Sequence, residues 1–196
     1  KTEWVSQYGQ DRFIYERFFA TIPADETVFG GPLRGRQGVF VELGAADGLE
    51  KSNTLAFERM LGWTGVLIEP AVDLFGRLQE NRPNCSCVHA CVARRAGKYE
   101  FAEDGLNSGF VVHQALTSGE EGKDVRFCRT LPDILDEHLG HTAHIDFLSL
   151  DVEGAELEVL RSFDFTRHTV DILAVEVHEW REALRAKRIA ELLHRR

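Results

Sequence analysis

The chain has 196 residues, 43% of them apolar and 28% charged, with only five prolines; this is the composition of one folded globular domain and excludes a disordered chain. Its formal net charge of −9 repels polyanions, and Lys and Arg cluster only near the C-terminus, so no nucleic-acid partner is expected. No apolar run reaches the roughly 20 residues that cross a bilayer, so no transmembrane segment is expected either.

The sequence begins at Lys1, not Met, and reads as a trimmed or processed product. A targeting segment would precede it, so localisation stays open. Residues 6 to 19, "SQYGQDRFIYERFF", place apolar side chains at 13, 14, 18 and 19, a helical spacing that predicts a cap over the core. "PADETVFGGPLRGRQG" (23 to 38) is a Gly- and Pro-rich loop. It divides an N-terminal helical arm and loop, 1–38, from the domain proper, 39–196. From Val39 the pattern predicts strand 39–43, helix 53–61, strand 65–69, helix 72–81 and strand 86–92, a βαβαβ rhythm. Next come strand 98–101, a long lid-like loop 102–124, strand 125–129 and helix 131–139. Strand 145–151, helix 154–162, strand 170–177 and helix 180–194 complete the chain.

The runs "VFVEL", "GVLIE", "FLSLD" and "ILAVEV" are nearly continuous and apolar, as parallel strands buried on both faces are. Right-handed crossovers then predict an α/β fold, a doubly wound, mostly parallel, Rossmann-like sheet. An open edge of such a sheet invites a second copy, and a homodimer is the assembly it would give. Cys85, Cys87 and Cys91 share strand parity with His89 and are expected on one face. Alternate residues of a strand lie too far apart to surround one zinc ion, so small buried side chains are the expected role, with a disulfide to Cys128 as the alternative.

Ligands of open α/β sheets bind beyond the carboxyl ends of the strands. There the sequence places acids: Glu42, Glu69, Asp151 and Glu176, with Glu153 and His178 two residues past the last two. The turn after the first strand is Gly44-Ala45-Ala46-Asp47-Gly48, which lacks the middle glycine of a dinucleotide fingerprint. An ionised Asp47 beside a diphosphate would cost a few kcal/mol, roughly, at an effective dielectric near ~20. A ligand with a cationic centre, an amino group and a ribose fits better, and S-adenosylmethionine is one. On that reading Gly44 and Gly48 allow close backbone approach, Glu42 and Asp47 face the methionine end, and Glu69 takes the ribose diol.

The blocks "SQYGQD", "FVELGAADGLEKSNT", "ERMLGWTGVLIEP", "NRPN", "IDFLSLDVEGAELEVLRSFDF" and "AVEVHE" resemble, in order, those of the FkbM family of S-adenosylmethionine-dependent methyltransferases. The resemblance implies a class I methyltransferase fold and O-methylation of a hydroxyl on a small molecule or sugar. Such folds close with a two-strand hairpin after the last helix, and the sequence, ending at "AELLHRR", is expected to show the sheet without it. The resemblance places Asn53 on the methionine carboxylate and Ala45 and Pro70 beside the cofactor. It also folds Ser6, Gln7 and Asp11 over the cofactor, with Gln7, Asp11, Ser108 and Glu176 toward the acceptor.

An acceptor alcohol must lose a proton, and the candidate bases are Glu153 and His178, with Asp151 orienting the base or binding the methionine ammonium. The alternative is a divalent metal held by Asp151, Glu153 and Glu176. It is disfavoured because no Asp-Asn pair marks the site, and no metal ligand is assigned. Two other functions compete: a non-catalytic interaction module that keeps the fold, and a nucleotide-dependent oxidoreductase. The basic final helix reads as a solvated face, with docking to an anionic surface as the sharper alternative.

Overall fold

The protein is seen in a computed structural model that describes residues 4–20, 37–102, 109–110, 125–177 and 179–194. In chain order, a short helix α1 (Gln10–Ile14) widens into a π-turn through Phe19, and β1 (Val39–Leu43), α2 (Leu55–Leu61), β2 (Thr64–Glu69), α3 (Val72–Asn81) and β3 (Ser86–His89) follow. Then come β4 (Cys91–Val92), β5 (Gly97–Ala102), β6 (Gly109–Phe110), β7 (Val125–Arg129) and α4 (Leu131–Leu139). The last elements are β8 (His144–Leu150), α5 (Glu156–Ser162), β9 (Thr169–Val175) and α6 (Glu179–His194).

The apolar runs pair as one parallel sheet in the order β3-β2-β1-β8-β9. Alternation along each strand sends side chains to both faces, and both are covered. Val41, Leu43, Val66, Ile68, Leu148 and Leu150 pack with residues of α4, α5 and α6. On the other face Phe40, Leu67 and Phe147 meet Ile14, Phe19, Phe57, Trp63 and Leu78 from the arm, α2, α3 and the turn before β2. This two-faced burial is why the strands lack polar alternation. It is the doubly wound α/β sheet expected.

Leu43 stands level with Ile68 on one side and Leu150 on the other, so the three central strands end together. The ladder runs on past them: Gly44 and Ala45 N–H donate to Ile68 O, Asp151 N–H to Leu43 O at 3.2 Å and Glu176 N–H to Leu150 O at 2.9 Å. The carboxylate-bearing residues are thus fixed by sheet hydrogen bonds at the sheet's upper edge. The strand order turns between β1 and β8, which makes that gap the switch point.

The predicted strand 86–92 divides at Ala90. β3 stays beside β2, while β4 enters a second sheet ordered β4-β7-β5-β6. Cys91 therefore leaves the face expected for it, stands opposite Cys128 and forms a disulfide with it. This corrects the reading of four small buried side chains. The two remaining thiols, Cys85 and Cys87, are half-buried. Two helices also start later than expected: Glu42 takes the Asn53 N–H and Ser52 Oγ accepts from Leu55 N, while Glu156 takes the N–H groups of Val152 and Gly154. Most of the lid-like loop, with Asn107 and Ser108, and His178 lie outside the described residues. No described helix is long and apolar enough to cross a membrane.

Candidate active site

The turn after β1 has the outline of a phosphate loop, but its backbone donors are already occupied. Glu69 Oε2 accepts from Ala46 N at 2.8 Å, and Asp47 Oδ1 accepts from Leu49 N and Glu50 N, both at 2.9 Å. Glu42 Oε1 accepts from Asn53 N at 2.6 Å, and its other oxygen accepts from the hydroxyls of Ser52 and Thr54. The chain's own carboxylates stand where a bound anion would. A diphosphate would find these donors taken and acids beside them.

This geometry also separates residues that hold the turn from residues that face a ligand. Glu69 is 4% exposed, anchors Ala71 N with its second oxygen and lines neither of the cavities described below. Asp47 likewise shapes the turn. Glu42 is buried yet reaches a cavity wall. Asp11, expected over the cofactor, is fully buried and accepts from Val5 N, Ser6 N and Ser6 Oγ, so it ties down the arm. Pro70 offers its carbonyl to His89 and Arg126.

Gly44 is needed where it stands. Its φ is +75°, and a Cβ there would meet Asp151 O at 1.8 Å, so only glycine lets the turn rest on the end of β8. Gly48, at φ +77°, is similarly closed off by Leu78 and Arg82.

Two adjoining cavities of about 440 and 630 Å³ open at the switch point, within the range of small-molecule sites. Asn53, Asp151, Glu176 and Gln10 line both. The first adds Gln7, Glu42, Gly44, Ala45, Lys51 and Glu153 to its wall. The second adds Tyr8, Ser149 and the apolar edge of β9. The arm is brought over the first cavity by a parallel bridge between Ser6 and Lys51. Among the described residues, the three non-glycine positions with left-handed backbone are Ala46, Lys51 and Glu153, and all three form the wall of the first cavity. Such conformations cost about 1 kcal/mol or more each and persist where the surroundings hold them.

Electrostatically the acid edge is crowded. The Asp151 carboxyl is pushed up to about 9, by burial first, then by its hydrogen bond to Glu176 and the charges of Glu176, Glu153 and Glu156. Burial and the neighbouring acids thus favour the protonated form of the Asp151 carboxyl. Glu156 accepts from Gly154 N at 2.9 Å and meets Arg185 of α6 at 3.5 Å, which shapes the turn that presents Glu153. Asn53 donates through Nδ2 to Ser149 Oγ at 2.9 Å, and its Oδ1 is the buried side-chain polar atom without a partner among the described residues. The donor that a contact to the methionine carboxylate needs, Asn53 Nδ2, is thus engaged by Ser149.

Of the residues singled out in the sequence, the structure brings Glu42, Gly44, Ala45, Asn53, Asp151, Glu153, Glu176 and Gln7 to one cavity. Sequence reasoning missed Lys51, Gln10, Glu156 and Arg82. Arg82 is fully buried behind the turn, pairs with Glu58 and donates to Gly48 O, Ser52 Oγ and Thr54 Oγ1. It stands in the polar run "QENRPN", so only that block's family resemblance singled it out.

Fold and site together define a Rossmann-like α/β enzyme domain whose ligand cleft is acidic and has no phosphate cradle. The sequence matches the Methyltransferase FkbM domain over residues 42–196, and the chain belongs to that family of methyltransferases. No curated protein matches it. A crystal structure of the methyltransferase FkbM from Methylobacillus flagellatus KT is similar at 17% identity and a TM-score of 0.43, over 64% of this chain and 28% of that one. The chain thus spans under a third of that protein's length.

Proposed function

We propose that the chain transfers a methyl group from S-adenosylmethionine to a hydroxyl oxygen of a small molecule or sugar. The observation that carries this reading is the switch-point cleft, in which the backbone donors are claimed by Glu42, Asp47 and Glu69 while the open wall is acidic with one base, Lys51. That set of groups suits a ligand with a carboxylate and two cationic centres, and it opposes the nucleotide-dependent oxidoreductase reading.

In this reading Lys51 receives the methionine carboxylate, and the acids at the ends of β8 and β9 face the cationic groups. Ala45 and Ala46 give backbone approach on the cavity wall, and Glu69 acts at one remove by holding Ala46 N in place. S-adenosylmethionine supplies an electrophilic methyl carbon on its sulfonium. The chain's own work is positional: to hold the acceptor oxygen in line about 3 Å from that carbon and to keep competing water out. The hydroxyl proton passes to a carboxylate oxygen of Glu153, which the left-handed turn holds on the cavity wall. Gln7, Gln10 and Tyr8 present amide and phenol groups of the kind that bind neutral hydroxylated acceptors.

Calorimetric titration of the chain with S-adenosylmethionine, S-adenosylhomocysteine and NAD tests this. Micromolar binding of the first two and none of NAD is expected, with binding weakened tenfold or more by Lys51→Met. Binding of NAD in preference would overturn the reading.

A further inference from the structure

The turn before β3 carries a short pattern that the cleft does not use. Asn84-Cys85-Ser86 sets a side-chain amide two residues before a hydroxyl with no proline between them, the arrangement of an acceptor for N-linked glycans. The chain's other asparagines are Asn53, Asn81 and Asn107, and two residues after them stand Leu55, Pro83 and Gly109, none of which has a hydroxyl. Three residues in a row recur by chance, so exposure and compartment decide whether the pattern can be used.

Asn84 lies in the turn between α3 and β3, and both Asn84 and Ser86 are exposed. Cys85 between them is half-buried, with its Sγ donating to Glu58 Oε2 at 3.5 Å and accepting from Arg82 Nη2 at 4.0 Å. The entry into β3 thus turns the middle residue inward and leaves the amide and the hydroxyl on either side of it in solvent. Asn84 O accepts from Thr64 Oγ1 at 3.2 Å, which holds the turn, and the Asn84 side-chain amide is bound to no described residue. The place is also remote from the cleft. β3 runs parallel to β2 with Ser86 level with Val66 and His89 level with Glu69, so Asn84 stands at the amino ends of the strands while the cleft opens at their carboxyl ends.

The Cys91–Cys128 disulfide bears on the compartment. Its two residues are 3% and 0% exposed, so the bond is enclosed as the second sheet forms and is not a late surface product. Structural disulfides form and persist in oxidising compartments and are rare where cellular thiols keep cysteines reduced. The secretory route that supplies such a compartment also attaches N-linked glycans to surface turns.

We propose that the chain folds in an oxidising secretory compartment and that Asn84 is the attachment site of an N-linked glycan there. The co-reactant is an oligosaccharide joined to a polyprenyl diphosphate. Asn84 Nδ2 bonds to the anomeric carbon of the first sugar and gives up one proton. The bond from that carbon to the diphosphate oxygen breaks, and the polyprenyl diphosphate leaves with the bonding electrons. The glycan stands at the start of β3, an edge strand of the described parallel sheet, and shields that edge from pairing. None of this depends on what the cleft binds.

The full chain is isolated from the cells that make it, and the peptide spanning Asn84 is read by mass spectrometry before and after enzymatic release of N-glycans in oxygen-18 water. A sugar on Asn84, replaced on release by an oxygen-18 label, is expected, with Cys91 and Cys128 joined in a non-reduced digest of the same sample. Made in the same cells, Asn84→Gln and Ser86→Ala should lower the glycosylated fraction at least tenfold, and Ser86→Thr, which restores the hydroxyl, should keep it. Both positions are exposed, and thermal unfolding confirms that the variants are folded. Asn84 without sugar in a chain whose disulfide is formed would overturn the glycan site alone. Asn84 without sugar beside reduced Cys91 and Cys128 would overturn the compartment as well. A glycan that persists in Asn84→Gln would place the sugar elsewhere and overturn the site too.

Discussion

Glu42 shows how a single residue can be central to a site by holding its loop. Its two oxygens accept from Ser52 Oγ, Asn53 N and Thr54 Oγ1, and it is 3% exposed. Glu42→Gln removes one acceptor oxygen and introduces an amide donor that faces other donors, so urea unfolding should show a loss of about 1–3 kcal/mol. S-adenosylmethionine affinity should fall with it, because the same loop carries Asn53 and Lys51. A variant as stable as the parent would mean that the loop is held elsewhere. Cys85 gives a second prediction at this scale. Its thiol is pushed up to about 12, by burial first and by the Glu58 charge and hydrogen bond, against the opposing Arg82 charge. Iodoacetamide at about pH 8.5 should therefore label native Cys85 at least tenfold more slowly than the unfolded chain. The sign for stability follows. Between the ordinary thiol value of 9.0 and about 12 the folded chain keeps a proton that the unfolded chain has released, so this group's contribution is lost as pH rises through that window. Equal labelling rates would remove both expectations.

Among the elements, the strands and helices of the domain were readable because burial on both faces and helical spacing leave periodic marks. The acids at the strand ends were readable for a related reason, since a charged residue that closes an apolar run stands out. What those acids do was hidden. Whether Asp47 meets a ligand or caps Leu49 N depends on turn geometry that the order of residues does not encode. The break at Ala90 was hidden too, because "SCVHACV" reads as one strand until β7, more than thirty residues later, arrives to pair with its second half. Arg82 connects these elements: it ties the end of α3 to Gly48 O, to both hydroxyls beside Asn53 and to Glu58 in α2. Arg82→Met leaves Glu58 and three acceptors without their donor, and a loss of about 3–5 kcal/mol in chemical unfolding is expected. Arg82→Lys should recover part of the stability and little of the order of the "SNT" loop, since an ammonium cannot reach all of these acceptors at once. If Met and Lys variants behaved alike, the guanidinium would be acting only as a buried charge.

For the whole molecule, the two sheets are joined differently and should open differently. β1, β2 and β8 each have a parallel neighbour on both sides, and both faces of that sheet are covered. The second sheet follows β3 after one intervening residue, and the Cys91–Cys128 disulfide ties β4 to β7 across a chain separation of 37 residues. Closing a loop of that length removes freedom from the unfolded chain, and its loss should cost about 2–4 kcal/mol. The part of the chain that opens first on reduction follows from where the cross-link sits. Hydrogen exchange should find the amides of β1, β2 and β8 slowest under oxidising conditions and nearly unchanged after dithiothreitol, while β4, β5 and β7 exchange faster. Pro70 O, one residue past the end of β2, accepts from Arg126 of β7, so the second sheet is tied to the carboxyl edge of the first. Reduction should therefore weaken ligand binding at the cleft more than it disturbs the central sheet. If exchange instead rose equally through β1, β2 and β8, the two sheets would be one cooperative unit, with the disulfide stabilising the fold as a whole and not its border with the site.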